Sequence, residues 1–159
     1  MPLLTLNELE KATPLFRGKR GNAFCRALMH MLAIDKVNDL YDRNSDRQGA
    51  EFARAVLKDI GVEYEILTPE VLQNLPDGPF ITISNHPYGH IDGVMLVDLF
   101  AHIRPDYKVM VNKFLGRIET LGGNFISVTP TGEERTAPTR DSIQGVKDAV
   151  AHIRAGGVL

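Results

Sequence analysis

The spacing of apolar residues changes at Gly61, and that change restricts the fold more than any other feature of the chain. Upstream the spacing is helical. Phe24, Leu28, Met31, Leu32, Ala33, Val37 and Leu40 predict one helix from Asn22 to about Tyr41. Phe52, Val56, Leu57 and Ile60 predict a second over about Asp46–Ile60, with Ser45 or Asp46 as its cap and Gly61 as its stop. Downstream, Val62 to Leu67 alternates as a half-exposed strand does. Phe80-Ile81-Thr82-Ile83-Ser84 reads as a strand entered through Pro76-Asp77-Gly78-Pro79. A helix from about Asp92 to Ile103, a strand over Tyr107–Val111 and a short helix over Lys113–Thr120 follow. Then come a strand over Asn124–Val128, stopped by Pro130, and a helix over Thr139–Arg154, closed by Gly156-Gly157. Val158-Leu159 has the look of one more strand beginning. Strands alternating with helices specify βαβ units, so the expected class is α/β, with N-terminal helices ahead of a mostly parallel sheet. The expected division is a helical region over 1–60 and an α/β core over 61–159. A strand that has only begun leaves a sheet edge unpaired, so the core is expected to continue past Leu159.

At 159 residues with 43% apolar content, the chain suits one domain with a real core. Its net charge of −2 supplies no field that would draw it to nucleic acid. The single cysteine, Cys25, rules out an internal disulfide and reads as a small apolar helix residue. No apolar run approaches the ~20 residues that span a bilayer, and the first residues lack a basic signal-peptide region. A cytoplasmic protein, free or bound to a membrane surface, is the expectation. From Lys11 to Ile34 the basic residues Lys11, Arg17, Lys19, Arg20 and Arg26 interleave with Phe16, Phe24, Leu28 and Met31, and acidic residues are absent. That composition suits a helix lying on a membrane, and equally an amphipathic helix packed on the sheet with solvated arginines.

The segment with most chemistry is Ser84-Asn85-His86-Pro87-Tyr88-Gly89-His90-Ile91-Asp92-Gly93. It sets a histidine just after a strand, at the end of a parallel sheet where sites gather. It sets an aspartate near a helix start, where the dipole favours the ionised carboxylate. Six helical residues turn through about 600°, so His86 and Asp92 meet only if the chain bends between them. Pro87 and Gly89 supply the bend. A carboxylate beside a histidine fixes its tautomer and stabilises the imidazolium. Such a histidine can take a proton from a hydroxyl or amine that attacks a carbonyl, with no protein nucleophile required.

These residues resemble the Asn-His-x4-Asp motif of the glycerolipid and lysophospholipid acyltransferases. They are closer still to the Asn-His-Pro-x-Gly-x-x-Asp-Gly variant of its bacterial, hemolysin-like branch, which makes glycerolipids or amino-acid lipids. The resemblance runs from roughly Asn38 to Leu159. It implies a glycerolipid acyltransferase-like fold, with His86 as general base and Asp92 orienting it. It implies an acyl-CoA or acyl carrier protein thioester as donor, a lyso-lipid as acceptor, and no cofactor beyond the donor. The backbone around Asn85 and Gly89 would shape the site. The implied location is the inner face of the cell membrane. The family's second motif, Gly-x-x-Phe-Ile-x-Arg, is associated with the acceptor's phosphate. Gly122-Gly123-Asn124-Phe125-Ile126-Ser127-Val128 matches it except at Val128, and the implied acceptor-site residues are Gly122, Phe125 and Ile126. Valine offers none of arginine's bidentate fork. Either Arg135 or Arg140 substitutes from the following loop, or the acceptor is a lyso amino-acid lipid. The family's third motif, Phe-Pro-Glu-Gly or a relative, would follow Val158-Leu159.

His86, His90 and Asp92 faintly match the spacing of a metallo-hydrolase cluster. Tyr88 holds its middle position and Gly93 follows Asp92, so no metal is expected, and His90 reads as exposed or as a secondary contact. Glu133 to Arg140 reads as a polar loop, with Thr139 capping the helix after it. The competing readings are a lipid or thioester hydrolase, in which water replaces the acceptor, and a non-catalytic membrane-binding module.

Overall fold

The computed structural model describes residues 34–113, 115–128 and 140–159. The basic stretch from Lys11 to Arg26, Cys25, and the loop carrying Arg135 and Thr139 lie outside the described residues. The chain divides into two compact units at Asp46 and Arg47. In the first, helix α1 (Ile34–Asn44) overlaps the first expected helix and runs past Tyr41. Ser45 Oγ donates to the Asp42 carbonyl at 2.9 Å, so Ser45 closes α1 and does not cap the helix that follows.

The second unit holds α2 (Gly49–Asp59), α3 (Pro69–Gln73), α4 (His90–Ile103), β1 (Val109–Asn112), β2 (Phe125–Val128) and α5 (Arg140–Arg154). Helix α2 buries Phe52, Ala53 and Leu57 and packs on α4, which buries Val97 and Ala101. It ends where expected, because Gly61 takes the left-handed conformation that glycine tolerates at such stops. Helix α3 is a single turn begun by Pro69, a residue already set for the first helical position. The helix expected over Lys113–Thr120 is replaced by two 3-10 turns, Leu115–Arg117 and Glu119–Asn124. Gly116 and Gly122-Gly123 weaken an α-helix there, and a Cβ on Gly116 would overlap Ser127 Oγ.

Strands β1 and β2 pair in parallel, Val109 opposite Phe125 and Asn112 opposite Val128. The order extends through three further backbone bonds. Lys108 N donates to the Val158 carbonyl at 2.9 Å, Leu159 N to Phe80 O at 3.1 Å, and Thr82 N to Leu159 O at 2.6 Å. One residue, Leu159, bonds the two residues flanking Ile81, which is the parallel pattern. Phe80–Thr82 therefore lies beside Val158–Leu159, which lies beside Tyr107–Lys108 and β1. The expected strand over Phe80–Ser84 has two of these backbone bonds, joined by side-chain bonds from Thr82 Oγ1 to Tyr107 Oη at 2.9 Å and to the Leu159 carbonyl at 3.2 Å, and Ile83 is 95% exposed. The expected strand over Val62–Leu67 joins no ladder among the described residues. It is fastened by a side chain, Tyr64 Oη donating to Asp98 Oδ2 of α4 at 2.7 Å.

Helix α4 is apolar along most of its length, and its ends and its one buried charge are tied down separately. Asp98, 6% exposed, also accepts from Arg54 Nε of α2 at 3.0 Å. Past the last turn, Arg104 grips Asp106 with two bonds, Nε to Oδ1 at 3.0 Å and Nη2 to Oδ2 at 2.9 Å. Hydrogen bonding from Arg104 holds the Asp106 carboxyl below its ordinary range, against the opposing effect of burial. Helix α5 covers β2 at Gly145, where a Cβ would overlap the Ser127 carbonyl oxygen and Val128 Cγ1.

Two outcomes follow for stability. Gly145→Ala should lower the urea unfolding free energy by about 1–3 kcal/mol through overpacking, although alanine favours an unconstrained helix by about 1 kcal/mol. A depressed carboxyl contributes stability above its unfolded value, near 3.8, and loses it as pH falls through the lower folded value. The stability gap between wild type and Asp106→Asn in urea melts should therefore be present at pH 7 and close below that value.

Candidate active site

The site is built where the extended segment Phe80–Asn85 ends and α4 begins. Residues 87–89 form a turn, and Gly89, the N-cap of α4, has φ 65° and ψ −124°. That conformation is reserved for glycine, and it redirects the chain so that His86 faces back towards the helix. A Cβ on Gly89 would meet open space, so the constraint there is the backbone itself.

Asp92 is the third residue of α4, at the positive end of the helix dipole. Its Oδ2 lies 3.2 Å from His86 Nδ1 and accepts the Tyr88 backbone N–H at 2.9 Å. The Asp92 side chain is 12% exposed and that of His86 is 66% exposed. One carboxylate oxygen thus caps the turn and holds the imidazole. With the Nδ1 proton directed at Asp92, Nε2 carries the lone pair. Helical spacing alone keeps the two residues apart, and the turn at Pro87–Gly89 is the bend that brings them together.

His86 stands at the edge of a cleft of about 630 Å³. Its polar rim includes Ser84, Asn85, His90, Lys108 and Asn112, and its apolar wall includes Val94, Leu96, Leu115, Ile118 and Phe125. Gly89 and Gly93 face it as well. Of the residues anticipated from sequence, His86, Asn85, Gly89 and Phe125 line the cleft, and Asp92 stands behind His86. Ile126 does not line it. It is 6% exposed and lies in the core, because alternation along β2 turns it to the side opposite Phe125. Gly122 is exposed on the second 3-10 turn, and Arg140 is exposed at the start of α5; neither lines the cleft. Val128, where the resemblance expects arginine, packs beside Gly145 of α5. His90 is exposed and lines the cleft. Sequence reasoning missed the wall contributed by α4, although His90, Gly93 and Val94 recur at helical spacing and carried that signal. Among the described residues no group of three or more His, Cys, Asp or Glu side chains is placed to hold a metal ion. No helix among them is long and apolar enough to cross a membrane.

These features define an α/β unit with a histidine–carboxylate pair at the mouth of a largely apolar cleft. A family model described as an acyltransferase matches residues 7–147, nearly the whole chain, and the chain belongs to that family. It is 26% identical over 114 residues to the lyso-glycine lipid O-acyltransferase of Bacteroides thetaiotaomicron, covering 70% of this chain and 40% of that protein. It is 28% identical over 135 residues to the enzyme of the same name from Phocaeicola vulgatus, covering 81% of this chain and 47% of that one. The chain thus spans less than half the length of each of these relatives. No solved structure matches it.

Alanine at Gly89 should cost about 1–3 kcal/mol at the turn and leave the middle of α4 intact. Amide hydrogen exchange should accelerate at Tyr88, and at Val97 and Ala101 by no more than the loss in global stability.

Proposed function

We propose that this chain carries the general base and the acyl-chain site of an O-acyltransferase that moves a fatty acyl group from a thioester to a lyso-lipid. The observation that carries the reading is the 3.2 Å contact between His86 Nδ1 and Asp92 Oδ2 at the mouth of the cleft. Nε2 of His86 takes the proton from the acceptor hydroxyl as its oxygen attacks the thioester carbonyl. The tetrahedral intermediate collapses with cleavage of the carbon–sulfur bond, and the imidazolium returns the proton to the departing thiolate. Asp92 holds the imidazole in the required tautomer and offsets its charge while it is protonated. General-base assistance of this kind contributes about 10²–10⁴ in rate.

The apolar wall of the cleft takes the acyl chain, and its volume falls within the ~300–1,000 Å³ usual for small-molecule sites. The donor is an acyl-CoA or an acyl carrier protein, and nothing further is consumed. The acceptor is a lyso amino-acid lipid. Val128 lacks the fork that a phosphate wants, and both relatives described above are named lyso-glycine lipid O-acyltransferases. Amphiphilic substrates put the reaction at a membrane surface, on the cytoplasmic side where both thioester donors reside.

The full-length protein, given a long-chain acyl thioester and a panel of lyso-lipids, should acylate a lyso amino-acid lipid in preference to lysophosphatidate. In His86→Ala the rate should drop by about 10²–10⁴ with the fold retained by circular dichroism. Undiminished transfer in that variant would rule out His86 as the base. Preference for lysophosphatidate would overturn the assignment of the acceptor.

A further inference from the structure

The segment that delivers His86 and the helix that delivers Asp92 run side by side in opposite directions. Phe80 lies beneath Arg104 at one end, and His86 meets Asp92 at the other. From Asp92 to Arg104 the helix rises about 18 Å. From Phe80 to His86 an extended chain spans about 20 Å. The two members match in length, so each end of the His86 segment is held against one end of α4.

The far end is fastened by one guanidinium. The two N–H groups of Arg104 Nη1 are shared among the carbonyls of Pro76, Asp77 and Gly78, at 3.4, 3.2 and 3.1 Å. Nη2 donates to the Gly156 carbonyl at 3.2 Å, and the group sits 5.9 Å from the centre of the Phe80 ring. Asp106 fixes its orientation with the two bonds described above. Arg104 thereby holds the turn that enters the His86 segment. It also holds the loop leading to Val158–Leu159, which bonds Phe80 and Thr82. Beyond Thr82 the segment is lightly tethered. Among the described residues, Ile83, Ser84 and Asn85 make no hydrogen bond to another segment, and Ile83 and Ser84 are exposed. The position of His86 is therefore set by the anchorage at residues 76–82 and by Asp92.

We infer that Arg104 is a positioning residue for the His86–Asp92 pair, setting from the opposite end of α4 where the base stands. The inference rests on the reading of His86 as the base for its kinetic consequence, though not for its structural one. Lysine keeps the charge but offers a point donor in place of a planar fork.

The test uses the full-length protein and two readouts. The first is the Tyr88 amide resonance in ¹⁵N–¹H spectra, with Asp92→Asn marking its position once the carboxylate bond is altered. The second is the steady-state kinetics of acyl transfer. In Arg104→Lys, well below its melting temperature, the Tyr88 resonance should move towards its Asp92→Asn position. Its kcat should fall about ten- to a hundredfold, the scale of a misplaced reacting group, with KM within about twofold. Phe80→Leu removes only the ring under the guanidinium and should move both readouts the same way, by less. It decides the matter if Arg104→Lys does not fold. A Tyr88 resonance at its wild-type position, with stability alone reduced, would overturn the inference and leave Arg104 a simple staple. If His86→Ala retained transfer, the reading of the base would fall while the Tyr88 resonance still decided this one.

Discussion

A carboxylate buried in an apolar helix needs partners, and Asp98 decides how α4 is turned. Arg54 of α2 and Tyr64 of the following extended segment both reach it. The Tyr64 phenol is pushed well above its ordinary range, first by burial and then by its bond to Asp98, so it stays protonated and donates. His102, one turn on, stands between Asp98 and the Glu51 carboxylate, 2.9 Å from the latter. A polar set like this adds little net stability over well-packed apolar side chains. Its contribution is rotation. Gly93 and His102 are nine residues apart in sequence, which at about 100° per residue is half a turn of helix. Holding Asp98 and His102 against α2 therefore turns Gly93, and Leu96 near it, towards the cleft. The side of α4 that faces the cleft is fixed by a charge on its opposite side.

The same economy operates at the head of the helix. Helices begin with unpaired N–H groups, and an acidic residue in the first turn commonly answers one of them. Asp92 reaches further back, to the Tyr88 N–H in the turn ahead of the helix, and with the same oxygen holds His86. Local folding and proposed chemistry therefore share an atom. Five residues separate His86 from Asp92, one more than the commoner motif allows. They are spanned by the turn at 87–89 and the first residues of α4, and the conformation of Gly89 makes the span possible.

What was legible in the sequence was what periodicity and local chemistry encode. Helices α2, α4 and α5 and strands β1 and β2 fall where apolar spacing put them, within a few residues, and their parallel pairing follows from the alternation of elements. The meeting of His86 and Asp92 was legible because a bend could be read between them. Contacts between distant segments were not. Tyr64 looked like a strand residue because Val62–Leu67 alternates, yet a single side-chain bond to α4 took the place of a ladder. Ser45 satisfied every rule for a helix cap and turned back to the helix before it. Arg104 carries no motif, and only the fold brings three carbonyls of one turn and a fourth from Gly156 within its reach. Asp98, alone among Val94, Met95, Leu96, Val97 and Leu99, was the one such residue with a warning attached, since an acid in an apolar run needs a partner somewhere.

The second motif shows how packing decides which side chains β2 presents to the cleft. Along β2 successive side chains alternate, so Phe125 reaches the cleft while Val128 packs beside Gly145 of α5. The glycine lets the helix approach closely, and a guanidinium at position 128 would have to displace it. On the cleft side, Lys108 is the only permanently cationic residue among the described residues of the lining. A lone ammonium is a point charge without a planar fork, and a phosphate monoester is usually met by the fork. In the proposed reaction, an amino-acid headgroup linked through an amide brings one carboxylate, for which Lys108 is the cation, and hydrogen-bonding groups, for which Ser84, Asn85 and His90 are the partners.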